Sequence, residues 1–130
     1  MPFAIQHIDH IALTVRDVER ATRWYCDVLG FEHRYPGLWG GVPAMLFAGD
    51  TGIALFPVRA AIPKPSPASD TIAMMHLAFR VDRAGFVKAQ DHLSALGIAF
   101  EFQDHDISHS IYFSDPDGHR LEITTYEVPG

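Results

Sequence analysis

Cysteine is nearly missing from this chain. Cys26 is the only one in 130 residues, so no intramolecular disulfide can form and a fold stapled by disulfides is excluded. Long apolar runs are missing too. Nothing approaches the ~18 consecutive apolar residues of a membrane helix, and Gln6, His7, Asp9 and His10 interrupt the N-terminal segment where a leader peptide would carry its apolar core. Positive charge is scarce. Ten Lys and Arg stand against sixteen Asp and Glu, a net charge of -6 with no basic stripe, which excludes the clustered cations that a nucleic acid partner requires. These absences predict a globular protein of a reducing, cytoplasmic compartment with neither membrane nor nucleic acid as partner. Cys26, flanked by helical apolar residues, reads as a small packed hydrophobe.

What is present is an ordinary globular composition, 48% hydrophobic and 20% charged, in a length that suits one core rather than two independent domains. Within that length the chain repeats. A shift of 66 positions lays His10-Ile-Ala-Leu-Thr-Val15 on His76-Leu-Ala-Phe-Arg-Val81, and without a gap it also lays Leu46-Phe47 on Tyr112-Phe113, Gly52 on Gly118, Leu55 on Leu121 and Phe56 on Glu122. One unit is used twice, and the two halves are expected to share a core.

Local pattern gives each half the same plan. Residues 6–15 alternate as a strand, with His10, Ala12 and Thr14 on one face and Ile11, Leu13 and Val15 on the other. Asp17 suits a helix N-cap, apolar residues from Val18 to Leu29 recur at helical spacing, and Gly30 ends the helix. Strands are expected near 31–35, 44–48 and 53–58. The second half repeats this with a strand at 73–81, a helix from Asp82 to about Leu96 stopped by Gly97, and strands near 99–103, 110–114 and 119–126. Asp115-Pro-Asp-Gly118 reads as a type I turn that returns the last strand antiparallel beside Tyr112. The predicted architecture is α+β, two βαβββ modules at about 5–58 and 72–127 in a single domain, joined by a Pro-rich crossover at 59–71.

Alternation also groups the chemistry. Met75, Leu77 and Phe79 form an apolar set that leaves His76 on the opposite face, and Leu121 and Ile123 leave Glu122 facing inward with Tyr112. Two histidines at equivalent points plus one carboxylate without a twin predict a metal site of His10, His76 and Glu122. Two neutral imidazoles and a carboxylate leave coordination positions open, which suits catalysis. A closed structural zinc site would want thiolates that one cysteine cannot supply. His105 and His109 flank the strand carrying Tyr112 and are candidate proton-transfer groups. Trp39, in Gly37-Leu-Trp-Gly-Gly41, is a candidate aromatic wall on a flexible loop.

Asp9-His10-Ile-Ala-Leu-Thr-Val15, Trp24-Tyr25, Leu29-Gly30-Phe31, His76-Leu-Ala-Phe79 and Ile111-Tyr-Phe-Ser-Asp-Pro-Asp-Gly-His-Arg-Leu-Glu122 together resemble the vicinal oxygen chelate superfamily of glyoxalases, extradiol dioxygenases, fosfomycin-inactivating enzymes and bleomycin-binding proteins. The resemblance spans nearly the whole chain. It implies a curled mixed sheet with helices outside, one divalent ion held by His10, His76 and Glu122, and a homodimer. Fe2+ or Mn2+ is favoured, with Zn2+ or Ni2+ as further options. Tyr112 followed by Asp-Pro-x-Gly and Glu122, with His105 upstream, is similar to the extradiol dioxygenase signature, from which Gln103 departs. Phe56 stands where glyoxalase I would carry an acidic fourth ligand, and Ala12 where fosfomycin-inactivating enzymes carry threonine. The implied function is a metal-dependent oxidoreductase or lyase acting on a small substrate with adjacent oxygens, most like a catechol-type dioxygenase. Glyoxalase or lyase chemistry and metal-free small-molecule binding are the alternatives.

Overall fold

The computed structural model describes residues 2–67 and 69–129; Ala68, within the expected crossover, lies outside them. The chain divides into two compact units, Met1–Lys64 and Pro65–Gly130. Each is a βαβββ module of the expected α+β class. Among the described residues no helix is long and apolar enough to cross a membrane.

In the first module β1 (His10–Val15) leads into α1 (Val18–Leu29), followed by β2 (Glu32–Arg34), β3 (Ala44–Ala48) and β4 (Thr51–Pro57). The sheet order is β1-β4-β3-β2, with β1 parallel to β4 and the other neighbours antiparallel. Asp17 caps α1, its carboxylate accepting the Arg20 N–H at 3.0 Å. Gly30 closes the helix in the left-handed region at φ 74, where a Cβ would be strained. Leu13, Val15, Ala21, Tyr25, Leu46, Ile53 and Leu55 are buried where α1 packs on β3 and β4. Each such side chain contributes about 1.5–3 kcal/mol against roughly 1 kcal/mol for a cap. Burial therefore holds the helix down, and the caps set where it begins and ends.

The second module repeats the order with β5 (Leu77–Arg80), α2 (Arg83–Ala95), β6 (Glu101–Asp104), β7 (His109–Ser114) and β8 (Arg120–Thr125), as a sheet β5-β8-β7-β6. Asp82 caps α2 by accepting the Gly85 N–H at 2.7 Å, and Gly97 follows the helix at φ 72. The Asp115–Gly118 turn forms as expected. Gly118 N–H donates to the Asp115 carbonyl at 3.1 Å, while the buried Asp115 carboxylate accepts the Asp117 and His119 N–H groups at 2.9 Å each. Both opening strands are shorter than their alternation predicts. Regular pairing starts at His10 opposite Gly52 and at Leu77 opposite Leu121, so alternation continued past the point where a partner strand was available.

The repeat departs from a gapless shift. Ala12 pairs with Ala54, and Ala54 with Met45; in the second module Ala78 pairs with Glu122, and Glu122 with Tyr112. By register the counterparts of Tyr112 and Glu122 are thus Met45 and Ala54, not Leu46 and Phe56. Leu46 points into the core at 0% exposure, and Phe56 lies opposite Thr14. The second module carries one extra residue between its opening strand and β7, and another in the hairpin between β7 and β8.

Gly52 opposite His10 is a position that only glycine fits. A Cβ there would collide with the Asp9 carbonyl oxygen and approach Phe47 Cε1 to 2.8 Å and His10 Cβ to 3.0 Å. Gly52→Ala is expected to lower stability by about 1–3 kcal/mol through overpacking, read as a lower urea midpoint at unchanged slope. An unchanged midpoint would contradict this packing.

Candidate functional site

Alternation along β7 sends Ile111 and Phe113 to the core and Ser110 and Tyr112 to the opposite face, where the pairing sets Tyr112 beside Glu122. His76 stands one residue before β5, two before Ala78, which is itself opposite Glu122. The second module therefore gathers His76, Tyr112 and Glu122. His76 Nε2 is 3.0 Å from Glu122 Oε1, and the His76 and Tyr112 rings meet edge to face at 5.7 Å. His105 Nε2 lies 3.1 Å from the Tyr112 hydroxyl. Arg120 holds its guanidinium 5.7 Å from the Tyr112 ring, a cation-π distance, and approaches Glu101 at 3.7 Å.

Glu122 is a buried carboxylate at 8% exposure, and a buried charge requires partners. The Ser110 hydroxyl supplies one, donating to Oε2 at 2.6 Å. Ser110 is a partner of Glu122 that no motif marks. Its parity with Tyr112 on one strand, combined with the pairing to the strand of Glu122, is the signal that marks it. Burial raises the Tyr112 pKa above 10, with the Glu122 charge and hydrogen bonding to it acting in the same direction and Ser110 and Arg120 opposing. The phenol stays protonated at neutral pH and is a hydrogen-bond donor.

His109 does not join this group. It shares the core-side parity of Ile111 and Phe113, with its ring 5.2 Å from Phe102 and 6.5 Å from Phe86 of α2. Arg83 donates to its Nδ1 at 3.0 Å, and Asp104 lies 3.6 Å from Nε2. Arg83 also donates to the Glu127 carbonyl at 2.7 Å, so His109 belongs to a clasp between α2 and the C-terminal segment. His109 lies within β7, an odd number of positions from Tyr112, so its side chain leaves the strand on the other face.

In the first module His10 lies on the non-core face of β1, and its Nδ1 donates to the Asp9 carboxylate at 2.7 Å. A neutral imidazole held this way presents Nε2 to a ligand, the arrangement metal-ligating histidines adopt. Where the second module has Glu122, this module has the buried Ala54, so no carboxylate arises from the equivalent strand. Trp39 is exposed and edge-on to Tyr35 at 6.2 Å.

The donor chemistry suits a divalent ion. Two neighbouring ligands each ~2.1 Å from one ion sit about 3 Å apart, the separation of His76 Nε2 and Glu122 Oε1. Among the described residues no group of three or more His, Cys, Asp or Glu stands together to hold a metal ion, so the structure brings His76 and Glu122 together as a pair.

The chain belongs to the glyoxalase/bleomycin resistance protein/dioxygenase superfamily, which it matches over residues 7–123. It is 30% identical to a catechol-2,3-dioxygenase of Bacillus subtilis over 90% of this chain, yet spans only 40% of that protein's length. It is 29% identical to the glutathione transferase FosA of Serratia marcescens, covering 92% of this chain and 80% of the relative. Among solved structures, a glyoxalase/dioxygenase from Nostoc punctiforme superimposes with a TM-score of 0.77 at 26% identity, over 92% of this chain and 90% of that one.

Cys26, on α1, has its thiol pKa pushed up by burial and then by the Asp27 charge, against a lowering contribution from a backbone hydrogen bond to His33. A raised value means less thiolate at any given pH. Iodoacetamide is expected to alkylate Cys26 at pH 8 more slowly than free cysteine, with rates converging as pH rises. A rate equal to free cysteine at pH 8 would contradict it.

Proposed function

We propose that His10, His76 and Glu122 are the ligands of one divalent metal ion, and that the protein is a metal-dependent enzyme acting on a small substrate with adjacent oxygens. The 3.0 Å approach of His76 to Glu122, beside the Tyr112 and His105 pair, is the observation that carries this reading. Fe2+ or Mn2+ is the preferred ion. When bound it supplies Lewis-acid polarisation of the paired substrate oxygens. The chain's own residues do the rest. The neutral Tyr112 phenol donates to a substrate oxygen, and His105 orients that hydroxyl and exchanges a proton with it.

The preferred chemistry is dioxygenase-like ring opening of a catechol, supported by Tyr112, His105 and Glu122 at signature spacing and by the similarity to the Bacillus subtilis dioxygenase. A second reading, addition of a thiol to a small oxygen-bearing substrate, draws on the similarity to the FosA relative, 29% identical over 92% of this chain. A homodimer completes the proposal.

Protein purified without oxygen is expected to hold about one divalent ion per chain by elemental analysis. His76→Ala should lose the ion together with activity. Oxygen uptake with a catechol panel supports the first reading; glutathione consumption or hemithioacetal turnover without oxygen supports the second. A ligand held equally well by metal-free protein, with no metal-dependent turnover, would overturn both.

A further inference from the structure

We infer that Ser110 is a positioning residue that holds Glu122 as a one-oxygen ligand, an inference that rests on the metal-site reading above. Ser110 has 0% exposure, and its hydroxyl donates to Glu122 Oε2 at 2.6 Å, within the short range of O–H to carboxylate bonds, which are roughly twice as strong as neutral ones. The other oxygen, Oε1, is the one 3.0 Å from His76. The two carboxylate oxygens therefore have separate duties. One is tied to the sheet, and the other faces the second ligand.

The serine is itself held. Its Oγ lies 2.9 Å from Thr124 Oγ1, which in turn reaches the His109 carbonyl at 3.3 Å. Ser110 pairs directly with Thr124, and Tyr112 with Glu122, so the hydroxyl is set by strand register rather than by a flexible segment. Tying Oε2 keeps the carboxylate from rotating and from offering both oxygens to one ion. It also fixes the orientation of Oε1 before any ion arrives, which reduces the ordering that binding requires. The first module has no such device, since the counterpart of Glu122 there is Ala54.

The test is titration of metal-stripped protein with Mn2+, reading free ion by electron paramagnetic resonance, for wild type, S110A, S110T and S110V. Circular dichroism melts of the apo proteins report folding separately. Ser110→Ala is expected to weaken Mn2+ binding about 10–100-fold, the usual effect of removing a partner of a metal ligand, at unchanged stoichiometry. Ser110→Thr, which keeps the hydroxyl, should stay close to wild type, and Ser110→Val, the same shape without it, should match Ser110→Ala. If Ser110→Ala does not fold, the threonine and valine pair decides. Wild-type binding with equal affinity in the valine and alanine variants would overturn the role of Ser110 and leave the metal site standing. A wild type that takes up no Mn2+ or other divalent ion would overturn the metal site and this inference with it.

Discussion

The parallel alignment of β5 with β8 is the constraint from which the site follows. With Ala78 opposite Glu122, the carboxylate shares a face with the residues that precede and follow Ala78 by two, and His76 is one of them. Antiparallel return of β8 beside β7 then adds Tyr112 and Ser110. A slip of one residue in either pairing would turn Glu122 into the core and bring Leu121 or Ile123 out. The burial of those two residues, at 0% and 6% exposure, is thus what keeps the carboxylate in place. Hydrophobic packing on one face of the sheet determines the chemistry on the other.

Duplication explains why the two halves look alike and why they do different work. Each half keeps a histidine at the start of its opening strand, His10 within β1 and His76 one residue before β5. Past that point the halves diverge, because the second carries one extra residue before β7 and another in the hairpin between β7 and β8. In the first half the same face of the last strand carries the small residues Gly52 and Ala54. In the second, Arg120, Glu122 and Thr124 fill the same face with polar groups. The one acid is accompanied by a buried serine that binds it, and neither has an equivalent in the first half.

Much of this was legible in the sequence. The caps at Asp17, Gly30 and Asp82, the Asp115–Gly118 turn and the inward face of β8 follow from local rules that depend on a few neighbouring residues. Strand ends were not legible, because a strand stops where its partner stops and alternation alone does not record that. The counterparts of Tyr112 and Glu122 were misassigned to Leu46 and Phe56 for a related reason: identity at His10 and His76 says nothing of turn length further along. His105 and His109 are close in sequence, yet His109 alternates within β7 onto the core side while His105 lies past the end of β6, where it meets Tyr112. Ser110 carries no motif, and it became visible only when parity on one strand was combined with pairing to the next.

The proposed metal site has His10, His76 and Glu122 as the ligands of one ion. Pulsed electron paramagnetic resonance on Mn2+-loaded protein with isotopically labelled histidine tests it most directly, by counting bound imidazole nitrogens. Two are predicted for the wild type, and one for each of the variants His10→Ala and His76→Ala. A wild-type ion bound to fewer than two imidazoles, or a count of two that survives His10→Ala, would contradict it.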